Sequence, residues 1–97
     1  MKIPTLEREL PGEKAENFHQ YAREEALKAW ELHPAGFIRE LYFRADQNEA
    51  VLILESPNIA EAEQTLAELP LVREGLIPFE IISLKAYPGF ERLFTKD

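Results

Sequence analysis

The chain has 97 residues, 45% hydrophobic and 30% charged, and its 18 acidic against 11 basic side chains give a net charge of −7. That is enough chain for one small domain with a thin core, burying roughly two thirds of its unfolded surface, while the acid excess disfavours nucleic acid and anionic membranes as partners. The absence of cysteine excludes disulfides, thiol catalysis and any zinc or iron–sulfur site built on Cys.

Residues 1–97 read as a single domain, since no Gly/Ser-rich stretch, repeat or low-complexity run divides them. No window approaches the roughly 18 apolar residues of a membrane span, and Met1-Lys2-Ile3-Pro4 lacks the apolar core of a signal peptide. A cytoplasmic chain is the expectation.

The first strand is predicted within Ile3 to Leu10, beginning as late as Thr5 because of Pro4, and Pro11-Gly12 closes it. A helix then runs from Glu13 to His33, stopped by Pro34 and Gly36. At about 100° per residue, Phe18, Ala22, Ala26, Ala29 and Leu32 gather on one arc, with Glu16, Gln20, Glu24, Lys28 and Glu31 opposite. Phe37 to Ala45 and Ala50 to Ser56 form a hairpin about Asp46-Gln47-Asn48-Glu49. Asn58 with Glu61 starts a second helix, with Ile59, Ala62, Leu66 and Leu69 on one face, ending before Pro70. A last strand from Ile77 or Phe79 runs to Ala86. Residues 88–97 are a tail in which Phe90, Leu93 and Phe94, spaced i, i+3, i+4, predict a helical turn that docks on its own sheet edge or across a dimer seam.

This order is the α+β plan βαββαβ of ferredoxin-like antiparallel sheets. Strict alternation in the hairpin pairs Arg44 with Val51, Tyr42 with Ile53 and Glu40 with Glu55. One face then holds Arg39, Leu41, Phe43, Ala45, Ala50, Leu52 and Leu54 for the helices. The other holds Glu40, Tyr42, Arg44, Val51, Ile53 and Glu55, too apolar for water and suited to a second subunit's sheet. A homodimer or higher homo-oligomer follows from that face and the small core.

The segment Gly36-Phe37-Ile38-Arg39-Glu40-Leu41-Tyr42, the hairpin to Glu55, the helix end Leu66-Ala67-Glu68-Leu69-Pro70-Leu71 and the final strand closing in Tyr87-Pro88 together resemble the muconolactone isomerase family, over residues 13 to 88. The resemblance implies a dimeric α/β barrel, and an isomerase that moves a proton on an unsaturated lactone with no metal or cofactor. It supplies no catalytic set, so candidates come from the residues themselves.

Glu25 stands on the apolar arc of the first helix, where an ionised carboxylate needs a partner. Arg39, the single charge on the apolar sheet face, is the obvious one, with Arg44 second. The pair is read either as a general base, Glu25, with Arg39 anchoring a substrate carboxylate, or as a structural salt bridge. His33 and His19 border the same arc as acid–base or binding candidates, or as a helix-end and a boundary residue, and almost four turns of helix between them rule out a shared metal ion. Tyr42 and Arg44 are placed to hold an anion between subunits, or to join a salt-bridge network with Glu40 and Glu55. Trp30 is a pocket wall for a ring, or a packing residue. These readings define a small isomerase acting on an unsaturated, carboxylate-bearing lactone or related small molecule. The alternative is a non-catalytic homo-oligomeric module binding a small organic acid, a lactone or another protein.

Overall fold

The structure of the chain, a computed structural model, describes residues 1–8 and 15–95. Its elements are β1 (Lys2–Glu7), α1 (Ala15–His19), α2 (Ala22–Leu32), β2 (Ile38–Phe43), β3 (Ala50–Glu55), α3 (Ile59–Leu66), α4 (Pro70–Arg73), β4 (Phe79–Ile81) and a 3-10 turn at Gly89–Leu93. The four strands form one antiparallel sheet in the order β2-β3-β1-β4, with the helices on one face. This is the ferredoxin-like α+β arrangement. Among the described residues, no helix is long and apolar enough to cross a membrane.

β1 occupies the centre of the sheet from Lys2 onward, Pro4 included, paired with β3 and β4. An antiparallel residue directs its N–H and C=O to the same neighbour. The Pro4 carbonyl accepts from the Ile82 N–H at 2.9 Å, so its missing N–H faces β4 just past the end of that ladder, at Thr5–Ile81. Proline is tolerated in this central strand because no ladder bond is asked of it.

The core lies between sheet and helices: Ile3, Ile38, Leu52 and Leu54 from the strands, and Leu32, Ala62, Leu66 and Leu69 from the helical layer. Asn58 caps α3, its side chain accepting the Glu61 N–H at 2.8 Å. The helical layer is held together at its surface by Lys28 to Glu68 (3.0 Å) and Arg73 to Glu24 (3.7 Å).

Three departures from strict sequence periodicity matter. The first helix is two: Gln20 and Tyr21 interrupt it between α1 and α2, in a stretch of His, Gln and Tyr with only moderate helix propensity in part. Its anticipated start at Glu13 lies outside the described residues. In the hairpin, the pairs are Phe43–Ala50, Tyr42–Val51, Leu41–Leu52 and Glu40–Ile53, then Ile38–Leu54. Every pair is displaced from the simple register, so Glu40 and Glu55 are not opposed. Arg39 is left without a cross-strand partner, the extra residue of a β-bulge. The bulge puts fully buried Ile38 in the core in place of Arg39, which is exposed, and spares the sheet the burial of a guanidinium.

The third departure is at the C-terminal end. β4 stops at Ile81, and from Ser83 to Thr95 the chain makes no hydrogen bond or ion pair with the rest of the described residues. The anticipated helical turn forms at Gly89–Leu93, with Tyr87 and Phe90 packed edge to face at 5.1 Å. It does not dock on its own sheet: Leu93 is 75% and Phe94 85% exposed. The radius of gyration, 16.5 Å, exceeds the roughly 12–13 Å of a compact chain of this length, as a projecting arm requires.

Leu54→Ala, which opens a cavity in the fully buried core, is expected to cost about 3 kcal/mol in denaturant unfolding. Deleting residues 90–97, by contrast, is expected to leave the stability of the dilute monomer within about 0.5 kcal/mol of the full chain. Any loss should show as a change in how the melting temperature depends on protein concentration.

Candidate functional site

The helices do not cover the hairpin end of the sheet. Leu41 and Phe43 point to the helical side yet are 46% and 68% exposed, and beneath them opens a cleft of about 820 Å³. Phe18, Ala22, Glu25 and Ala26 come from the helices, Leu52 and Phe79 from the sheet, and Leu69 and Leu71 from the approach to α4 and its first turn. Most of the wall is therefore apolar, as small-molecule sites generally are.

Glu25 projects from α2 into this cleft, half-buried. Its Oε1 accepts the backbone N–H of Leu71 at 2.9 Å. Leu69 caps α4 and Pro70 has no N–H, so the Leu71 amide is a first-turn donor without an intrahelical partner. Each group thus satisfies the other. Burial pushes the Glu25 carboxyl above the usual carboxylate range; the Leu71 N–H pulls it back in part, the Glu7 carboxylate raises it and Arg73 lowers it. The cation that acts on Glu25 is Arg73, not Arg39 or Arg44.

Two further carboxylates line the cleft. Glu7, at the end of β1, accepts the Ala50 N–H at 2.9 Å. Glu49, only 7% exposed, is approached by Arg44 Nη1 at 3.5 Å. The charges of β1 count against a strand when read one by one, but Ile3, Thr5 and Glu7 alternate onto the helical face, and that spacing carried the signal for Glu7. The burial of Glu49, in the hairpin turn, had no signal in its residue type.

Of the other candidates, His19 lines the cleft from the end of α1, its ring exposed, and Tyr42 borders it from the edge strand. The Tyr42 hydroxyl donates to Glu40 at 2.9 Å, and that bond holds the phenol above its usual range. The remaining four lie elsewhere. His33 caps α2, its N–H donating to the Ala29 carbonyl at 3.1 Å. Trp30 is 71% exposed, neither core residue nor pocket wall. Arg44 grips Asp46 through Nε (2.9 Å) and Nη2 (2.7 Å) on the hairpin. Arg39 lies by Gly36 and acts on Glu55, which also takes the Met1 amino group. The cleft therefore brings together Glu25 and His19, is bordered by Tyr42, whose side chain belongs to the opposite face of the sheet, and excludes His33, Arg39, Arg44 and Trp30 from its lining. No cluster of three or more His, Asp or Glu side chains among the described residues is arranged to hold a metal ion.

No family model matches the chain, and no curated protein matches it. Among solved structures, the crystal structure of muconolactone isomerase is similar, with a TM-score of 0.70 over 91% of this chain and 92% of that one, at 21% sequence identity. The two chains share a fold.

Proposed function

We propose that the protein is a small isomerase-type enzyme that shifts a proton on an unsaturated lactone or related small molecule, with Glu25 as the base. The observation that carries this reading is Glu25 itself: a carboxylate lining a largely apolar cleft, its proton affinity raised by burial, with Oε1 fixed by a backbone amide. A general base works best with a proton affinity close to the operating pH, and partial burial moves a glutamate in that direction. In the reaction, Oε2 takes a proton from a carbon next to the ring carbonyl. The C–H electron pair passes into the conjugated system, and the same carboxyl returns the proton to a second carbon as the double bond moves. No electron or atom is gained or lost, and no metal or cofactor enters the balance. The fold shared with muconolactone isomerase supports the same class of chemistry by analogy.

The working unit in this proposal is a homodimer. On the sheet face away from the helices, Tyr42 is exposed and Val51, Ile53 and Leu6 are half-covered, and the arm from Leu84 to Phe94 presents five large, exposed apolar side chains, of which Tyr87 and Phe90 pack on each other. That arm equally suits a non-catalytic homo-oligomeric binding module, and solvent exchange distinguishes the two.

In D2O, an unsaturated five-membered lactone is expected to incorporate deuterium at the abstracted position, followed by NMR. Glu25→Gln should slow this at least about 100-fold without loss of binding; exchange that persists in the variant excludes Glu25 as the base. Stability supplies a second check. A carboxyl whose proton affinity is raised on folding binds more protons in the native state, so the Glu25 contribution to stability improves as pH falls from above its native pKa toward the ordinary value of 4.5. Glu25→Gln keeps an acceptor for Leu71 and removes that slope. The variant is expected to melt higher than the parent at pH 8 and alike at pH 4.

A further inference from the structure

We infer that the C-terminal arm of one copy closes the mouth of the cleft in a second copy, so that the complete site is shared between two chains. The inference rests on the homodimer of the proposed function, and it holds whether that dimer is an enzyme or a binding module. Two apolar surfaces are left in water. Leu41 and Phe43 stand exposed at the hairpin end of the sheet, over the cleft, and Leu84, Tyr87, Phe90, Leu93 and Phe94 are exposed along the arm. Contiguous apolar surface of this kind marks a contact.

The topology keeps the two surfaces apart within one chain. β4 runs antiparallel to β1, from Phe79 beside Glu7 to Ile81 beside Thr5, and Glu7 lies at the hairpin end, since its neighbour Leu6 pairs with Val51. The chain therefore leaves the sheet at Ile82, bonded to Pro4, heading away from the hairpin, and the 60 Å long axis of the molecule reflects that course. A second copy removes the separation. In a two-fold dimer whose axis crosses the strands, the end from which one arm departs lies beside the hairpin end of the other sheet. The exchange is then reciprocal, so both mouths close and no arm is left to recruit a third chain. The reach suffices: residues 83–88, outside any helix or strand, span up to about 20 Å, the length of a six-residue strand, before the turn at Gly89–Leu93.

Charge favours the same contact. Residues 83–97 hold three basic and two acidic side chains, against eight and sixteen in residues 1–82, and neither Lys85 nor Arg92 makes an ion pair among the described residues. The arm is the basic segment of an acidic chain, and a second copy offers it an acidic domain. Docked there, Phe90, Leu93 and Phe94 supply the apolar side that the cleft lacks, and a ligand within it is cut off from water.

The absence of cysteine makes the test direct. Thr95→Cys, outside the apolar cluster, carries a nitroxide on an unlabelled chain, which is refolded together with isotope-labelled parent so that all paramagnetic broadening in the NMR spectrum is intermolecular. Broadening is expected at the amides of Leu41 and Phe43 and, across the mouth, of Ala22 and Ala26. It should vanish when the nitroxide chain also carries Phe90→Ser and Phe94→Ser, two exposed positions whose change leaves the fold intact. The same double substitution is expected to raise the dimer dissociation constant in sedimentation at least about tenfold. Broadening at Val51 and Ile53 with none at Ala22 and Ala26 overturns the inference, because it places the arm on the other face of the sheet. A dimer without arm broadening also overturns it and leaves the homodimer standing, whereas a chain that stays monomeric at high micromolar concentration removes both. No substrate enters the measurement, so deuterium exchange that survives Glu25→Gln counts against the base and not against the arm.

Discussion

The bond between the Leu71 amide and the Glu25 carboxylate is the constraint around which the site is built. It joins two groups that would each be costly alone: a charged side chain on the apolar side of α2, and an unpaired donor in the first turn of α4. Through it α2 meets the first turn of α4, where Leu69 and Pro70 are buried. The cleft is the space left between that joint and the uncovered end of the hairpin.

The electrostatics of the surface and of the cleft are complementary parts of one distribution. The chain has seven more acids than bases, and Lys28 and Arg73 are drawn into short-range pairs on the solvent side, where such pairs contribute little to stability, whereas Arg44 also reaches Glu49 in the cleft wall. Glu25 is left under the influence of burial and of another carboxylate, which both favour the proton, with Arg73 as the moderating cation.

The sequence shows Glu25 clearly, because a carboxylate on an otherwise apolar helical arc is a local inconsistency, and such inconsistencies collect at functional sites. Its partner is hidden from the same reading. Charge pattern points to Arg39, whereas the actual donor is a backbone amide, which every residue has and which no side-chain type announces. The β-bulge is hidden for a related reason: alternation reports which face a residue occupies only while the count is unbroken, and one inserted residue moves Arg39 out and Ile38 in. Strand order and helix positions follow from apolar spacing and capping residues such as Asn58. The break at Gln20–Tyr21 has no proline or glycine to mark it.

The placement of β1 has a consequence for the order in which the molecule is made. This strand is the earliest to be synthesised, yet its two neighbours are Val51 to Glu55 and Phe79 to Ile81. The sheet therefore cannot close from nearest neighbours, and its loop-closure entropy is met late, as in other topologies of high contact order. Until β4 emerges, one side of β1 is an open edge carrying unpaired amides. Pro4 directs its missing donor toward that side, so it also blunts the nascent edge against pairing with another chain.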